Sequence, residues 1–381
     1  MMRINPNQRK TYATSDGVGA QQCCAPANYA TSLRRLVIGM AVLLMGACAA
    51  PPAAAPSNPP TPNTAPTQAA PPTARPTVEL ATTAPPTEAI ATTVAVPTVV
   101  PSPTLNAAKL KVVATFSVLG DFVRVIAGNN VALTTMVGPD SDTHEFEPAP
   151  SDSVKLADAD VIIENGLGFE AWLGNLYSAS GSKAVRVVTS EGIAPREMDA
   201  NGQKEADPHV WQNPVNAIQM VKNIEAALSK TDAVHADAYR KNATAYIKQL
   251  QSLDAELSAE VDKLSKDQRQ IVTSHDALGY FAERYGFEVI GSVIQSLSTE
   301  AGEPSAQDIA ALVDNIKATG AKAIFLESMA NPTLVESVAN EAGVEIGPQL
   351  YTDALGAKGS AGATYLEAMR HNAQAIVGTL R

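Results

Sequence analysis

Long apolar runs, positive charge and cysteine are what this 381-residue sequence has little of. No apolar stretch reaches the roughly 18 residues of a membrane span, which excludes a polytopic membrane protein. With 28 Lys and Arg against 39 Asp and Glu, the formal net charge is −11. Without a basic stripe there is nothing to release counterions from phosphates, so nucleic acid is excluded as a partner. An acidic surface suits a soluble protein whose cargo is a cation. The three cysteines form no Cys-x-x-Cys pair and no His-Glu-x-x-His string occurs, so no local motif announces a metal site.

Arg34 and Arg35 precede an apolar stretch, 36–47, that ends in small residues before Cys48. A basic flank, an apolar segment of roughly 7–15 residues and a small-residue exit describe an export signal. Met45-Gly46-Ala47-Cys48 resembles a bacterial lipobox, which implies that Cys48 becomes the lipidated first residue of the mature chain. Met45 departs from the usual leucine, although Leu44 stands beside it. Cys23 and Cys24 leave with the signal, so the mature chain has no intramolecular disulfide despite its exported setting. Five basic residues and one acidic residue leave as well, which makes the mature charge −15. From 51 to 103 the chain is Pro, Thr and Ala with Arg75, Glu79 and Glu88 as its only charges, and holds fifteen of the 26 prolines. Such a stretch cannot bury a core and reads as a tether, about 3.1 Å per residue if polyproline-like. A glycosylated stalk is the alternative, and either is a spacer.

The remaining 273 residues, 109–381, carry strand-like apolar runs at 111–116, 131–137, 160–164 and 184–189, then at 270–274, 288–294, 322–326 and 346–351. Most are separated by helix-length segments, the pattern of α/β lobes with mostly parallel sheets and covering helices. Between the two groups of four, no Gly or Pro occurs from 215 to 278. There Tyr239, Ala243, Tyr246, Leu250, Leu253, Leu257, Val261 and Leu264 recur at steps of three and four, one apolar face of a long helix. At 1.5 Å per residue it spans roughly 39 Å, enough to bridge two lobes. The expected division is an export signal at 1–47, a tether at 48–108, a first lobe at 109–234, the inter-lobe helix at 235–265 and a second lobe at 266–381.

Five histidines occur. His144 lies in a polar loop after the second run, His209 in Asp207-Pro-His-Val-Trp-Gln-Asn-Pro214 after the fourth, and His275 closes the fifth. Asp353 follows the eighth. Sites in open α/β sheets form at the carboxyl ends of strands, so two such loops from each half can meet across a cleft. Neutral imidazoles and a carboxylate suit a borderline divalent ion such as zinc. The spacing alone leaves open whether each is a ligand or an ordinary loop histidine. His235 and His371 fall in helical, polar contexts and read as solvated. Gly166-Leu-Gly168-Phe-Glu170-Ala171, with Glu191 after the next strand, imitates a dinucleotide fingerprint. It follows the third strand rather than the first, which argues against nucleotide binding. Asn242-Ala-Thr244 matches a glycosylation sequon by chance, on a predicted helix.

The strings GPDSDTHEFEPAPSDSVKLADADVIIENGLGFEAWL, DPHVWQNP, TSHDALGYFAERYG, STEAGEPSAQDIAALV and YTDALG resemble, in order, the zinc and manganese solute-binding proteins of bacterial ABC transporters. The likeness covers 109–381. It implies two four-stranded α/β lobes joined by one long rigid helix, with a metal in the cleft between them. Carried over motif by motif, it implies His144, His209, His275 and Asp353 as ligands. Many manganese-type members carry Glu at the third position, where this chain has His275. Nitrogen-rich sites favour zinc, so Zn²⁺ is expected before Mn²⁺. The His-rich loop of many zinc-type members is absent, since 197–205 contains no histidine.

The resemblance thus implies capture of an extracytoplasmic metal and hand-over to an ABC permease, without turnover, by a monomer lipid-anchored to the outer face of a bacterial membrane. Because the imidazoles must be neutral to bind metal, affinity is expected to fall as pH drops through about 6.5. Asp142, Glu145, Asp276 and Glu303 are candidates for hydrogen-bonding the ligands or lining the cleft. Two alternatives stand beside this. If Asp353 is not a ligand, an open position would suit a zinc hydrolase with Glu145 or Glu303 as base. The other is a surface adhesin with a structural metal.

Overall fold

A computed structural model of the chain describes residues 108–200, 203–296, 298–299, 304–328 and 330–381. The export segment, Cys48, all of the tether but its last residue, and Glu303 lie outside the described residues.

The first half runs β1 (Leu110–Phe116), α1 (Ser117–Ala127), β2 (Val131–Val137), α2 (Pro150–Ala157), β3 (Val161–Glu164), α3 (Leu173–Ser180) and β4 (Val185–Val188). After a hairpin, β5 (Glu197–Ala200) and β6 (Gln203–Ala206), come α4 (Pro214–Thr231) and α5 (Ala236–Val261). The second half runs β7 (Gln270–Thr273), α6 (Gly279–Tyr285), β8 (Glu288–Ser292), α7 (Ala306–Thr319), β9 (Ala323–Glu327), α8 (Pro332–Ala342), β10 (Glu345–Leu350) and α9 (Tyr365–Leu380). All eight strands expected from apolar runs are present, and their ends lie within two residues of the expected ones.

The strands form two four-stranded sheets, ordered β2-β1-β3-β4 and β10-β9-β7-β8, with parallel pairing throughout. Both sheets have the same order: the second strand lies on one side of the first, and the third and fourth lie on the other. Parallel neighbours need crossover connections, and these supply the covering helices. Strands covered on both faces read as unbroken apolar runs. Val161, Ile162 and Ile163 of β3 are accordingly buried, whereas Val185 and Val188 on the edge strand β4 are exposed.

Several helix starts follow from local chemistry. Asn213 and Asn331 cap α4 and α8 through their side chains, each followed by a proline at the first helical position, where no N–H is needed. Ser305 and Asp308 cap α7 reciprocally. The long helix α5 has 26 residues and buries Tyr239, Ala243, Tyr246, Leu250, Leu253, Leu257 and Val261. It packs on α1 and α4 of the first half and on α9 of the second. Polar contacts fix both ends: Asn242 Nδ2 donates to Ile126 O at 3.0 Å, so the sequon's amide is already engaged. Farther along, Asp254 accepts from Arg284 Nε at 2.9 Å and Tyr285 OH at 3.0 Å, and Glu256 accepts from Arg370 at 2.7 Å. One apolar cluster runs from β1 and α1 through α5 to α6 and α9, and a second joins β8, α7 and α8.

The antiparallel hairpin is an addition to expectation, since the sequence at 197–205 reads only as a loop without histidine. Its strands lack apolar alternation. The available signal is Asn201-Gly202, a dipeptide favoured in two-residue hairpins.

Because Leu250 is fully buried in the larger apolar cluster, Leu250→Ala should destabilise the chain by about 2–5 kcal/mol. Urea unfolding followed by circular dichroism measures this, and a loss under about 1 kcal/mol would contradict the packing described.

Candidate metal centre

His144 follows β2, His209 follows the hairpin, His275 follows β7 by two residues and Asp353 follows β10 by three. All four are buried. In the loop after β2, Asp142 Oδ1 accepts from His144 N at 2.8 Å, a local turn that sets the backbone of His144. His209 begins the short 3₁₀ turn Val210–Gln212.

One donor atom from each residue falls within 4.8 Å of the other three. His144 Nε2 lies 3.4 Å from His209 Nε2 and 3.3 Å from Asp353 Oδ2. His209 Nε2 is 3.5 Å from Asp353 Oδ1, and His275 Nε2 is 3.0 Å from Asp353 Oδ2. Ligands at 2.0–2.1 Å from a tetrahedral ion are separated by about 3.3–3.4 Å. These four separations bracket that edge length, while the set as a whole spreads to 4.8 Å. His275 Nε2 and both Asp353 oxygens are buried without a well-directed hydrogen bond, as groups awaiting a cation would be.

The far nitrogens of two imidazoles are held by carboxylates. Asp207 Oδ1 lies 2.9 Å from His209 Nδ1 and also accepts from His209 N at 2.9 Å, while its Oδ2 pairs with Arg196 at 2.6 Å. Glu327 Oε2 lies 2.8 Å from His275 Nδ1, and its Oε1 accepts from His275 N at 2.8 Å. Thr352 Oγ1, beside Asp353, donates to the same Glu327 Oε2 at 2.5 Å. Each acceptor presents Nε2 of its histidine to the centre. Sequence reasoning singles out neither Asp207 nor Glu327 in this role. Asp207 is adjacent in sequence to Pro208-His209, a local signal, whereas Glu327 closes an apolar strand far from His275.

Burial alone would depress the His209 pKa, but the Asp353 and Asp207 carboxylates outweigh it and push it up to about 9. His275, likewise opposed by burial, is held well above its ordinary value by Glu327 and Asp353. Asp353 is held well below the usual carboxylate range by His209 and His275, against a burial effect that would raise it. Phe116, Phe169 and Trp211 stack at 4.7–4.9 Å between centroids and form an apolar wall. His144 and His209 meet it at 4.7 Å from Phe169 and 5.4 Å from Trp211.

The remaining candidates are placed as follows. Asp142 Oδ2 accepts from Thr299 Oγ1 across the halves at 2.8 Å. Glu145 is exposed and, with Asp142 and Thr299, lines a cavity of about 420 Å³ that reaches His275 and Glu327. Asp276 is raised by burial and by the nearby Asp207 carboxylate. A second cavity, about 380 Å³, reaches His144 between Gly168, Phe169, Glu205 and Pro208. His235 is engaged elsewhere, its Nδ1 2.7 Å from Asp232, and His371 Nε2 lies 2.8 Å from Gln349 O. A larger cavity of about 850 Å³ lies among Lys109, Asn130, Asp160, Lys183 and His235. Among the described residues it brings no set of metal donors together, so size does not locate the site.

The fingerprint-like loop closes on a carboxyl group of its own chain. Gly166, Leu167 and Gly168 all adopt positive φ, and the turn folds over the buried Glu170. Glu170 accepts from Asn165 N at 2.7 Å, Gly166 N at 3.2 Å and Thr115 Oγ1 at 2.7 Å. Burial pushes its pKa up to about 7 despite these donors. The first glycine amide of the fingerprint-like turn is thus taken by the chain's own carboxyl group.

The chain matches the family model described as ZnuA, zinc-uptake complex component A periplasmic, over residues 112–379. It is 37% identical over 272 residues to the manganese-binding lipoprotein MntA of Halalkalibacterium halodurans, covering 71% of this chain and 88% of that protein. It is 33% identical over 280 residues to the iron ABC transporter substrate-binding lipoprotein MtsA of Streptococcus pyogenes, covering 72% and 89%. Among solved structures, the periplasmic zinc binding protein TroA from Treponema pallidum superposes with a TM-score of 0.68 at 33% identity, covering 72% of this chain and 99% of that one. These relatives are named as metal-binding or transporter substrate-binding proteins. With its two parallel sheets and a match over nearly all of its described length, the chain belongs to the family of metal solute-binding proteins of ABC transporters.

Proposed function

We propose that the chain captures extracytoplasmic Zn²⁺ through His144, His209, His275 and Asp353 and delivers it to an ABC-type permease. Convergence of four buried donors, with the Asp353 oxygens left without well-directed partners, is the observation that carries this. Three imidazoles and one carboxylate make a nitrogen-rich set, which favours zinc over the harder manganese. Relatives named for manganese, iron and zinc make the choice of metal the quantity to measure. The chain acts as a monomer, tethered at a lipidated Cys48, with α5 as a stiff strut between its lobes.

Equilibrium dialysis with metal analysis tests the ligand set. The parent should bind one equivalent of zinc, and His144→Ala and His275→Ala should bind it more weakly. Either variant binding as tightly as the parent would refute the assignment. Competitive calorimetry with zinc and manganese tests the metal, and a preference for manganese would overturn the choice of zinc.

Affinity should also rise with pH. Imidazoles bind metal only when neutral, and the protonated His209 of the metal-free protein persists up to about 9 rather than the ordinary 6.5. Metal uptake near neutrality therefore expels protons, and chelator competition between pH 6 and 9 should register tighter binding at the alkaline end. The metal-free stability runs the other way: the contribution of protonated His209 is complete below about 6.5 and lost as pH rises through about 9. Urea unfolding in the presence of a chelator measures that slope. For the anchor, Cys48→Ala should end incorporation of a fatty-acid label and release the chain from the membrane fraction.

A further inference from the structure

We propose that His144 is the exchange ligand of this site, its bond to the metal being the last to form on capture and the first to break on release. The inference rests on the reading of the four residues as ligands and concerns their order of engagement.

Three of the four belong to one stitched unit, although they come from both halves of the chain. His209 is fixed at ring and backbone by Asp207, which is itself clamped by Arg196. His275 is fixed at ring and backbone by Glu327. Thr352, the neighbour of Asp353, donates to that same Glu327, and its carbonyl accepts from both Trp211 Nε1 and Gln212 Nε2 at 2.8 Å. Tyr280 OH, on the helix that follows His275, donates to Asp207 O at 2.8 Å. The bonds of Thr352 and Tyr280 tie the segments of His209, His275 and Asp353 to one another.

His144 stands apart. Its loop is anchored, since Asp140 N donates to Leu355 O at 2.9 Å and Asp142 accepts from Thr299, but those bonds hold the backbone and not the ring. Among the described residues no carboxylate bonds its far nitrogen, and the ring rests edge-on against Phe169. An acceptor on the far nitrogen raises the donor strength of a metal-bound imidazole and fixes its orientation. Without one, His144 is the weakest and least constrained of the three nitrogen donors. It is also the most exposed of the four, at 5% against 0–1%. It lines the cavity of about 380 Å³ between Gly168, Phe169 and Pro208, as His275 lines the one of about 420 Å³, so what separates the two rings is the carboxylate on the far nitrogen of His275.

Rapid-mixing release of zinc from the purified chain to a chromogenic chelator, beside equilibrium dialysis, tests this in the parent and in His144→Ala, His209→Ala and His275→Ala. Thermal unfolding of the metal-free proteins checks folding, and His→Asn at the same positions substitutes for any alanine variant that does not fold. His144→Ala should still hold one zinc, releasing it about tenfold faster or more while capturing it within about threefold of the parental rate. His209→Ala and His275→Ala should hold none at the same zinc concentration. If the parent holds one zinc and His144→Ala loses it as completely as His275→Ala does, the order is overturned while the ligand assignment stands. If His144→Ala captures zinc much more slowly with release unchanged, the order is likewise overturned. A parent that holds no zinc overturns the ligand assignment and the order with it.

Discussion

Asp353 is a fully buried carboxylate whose oxygens both lack a well-directed hydrogen bond. Withdrawing an ion from water costs several kcal/mol even after relaxation, and only close, well-placed opposite charge offsets it. Three imidazoles at 3.0–3.5 Å are what the fold supplies. In the metal-free protein, protons on His209 and His275 provide the positive charge. A divalent cation provides the same charge from the centre, with every nitrogen lone pair turned inward. On the proposed reading, protons and metal compete for one arrangement of side chains, in which Asp207 and Glu327 hold the far nitrogens of His209 and His275.

That requirement explains the architecture. No single sheet presents four such donors at bonding distance, but two sheets with the same strand order can each offer two loops from their carboxyl ends. The halves must then be held to within a fraction of an ångström. Trp211 and Gln212 donate to Thr352 O across the cleft, while α5 and α9 share one apolar cluster with the first half. The apolar face of α5 is buried along its length and packs on helices of both halves. The aromatic wall of Phe116, Phe169 and Trp211 keeps the dielectric low on one side, which strengthens every charge interaction at the centre.

The loop from Gly166 to Glu170 illustrates how a motif is decided by its surroundings. Its glycines allow left-handed backbone, and a Cβ on Gly166 would come within 2.5 Å of Val188. In a nucleotide fold such amides close around a phosphate. Here the Asn165 and Gly166 amides bond Glu170, and the turn carries Phe169 against His144. The same spacing of glycines thus serves a metal site by shaping its wall.

Much of this was legible because it is local. Buried parallel strands read as apolar runs, the face of α5 reads as steps of three and four, and His144, His209, His275 and Asp353 stand just beyond strand ends among turn-forming residues. The hairpin at 197–206 was not legible as strands, since its pairing depends on backbone bonds and not on apolar alternation. Glu327 was hidden for another reason: it is the last residue of an apolar strand, 52 positions from the histidine it holds. By itself the sequence determined the elements, their order and the donors at their ends, because those depend on neighbours along the chain. Which carboxylates grip which imidazoles, and that among the described residues none grips His144, only the tertiary structure decided. Hydrogen bonds form by distance in space, and that distance exists once both sheets have packed on α5.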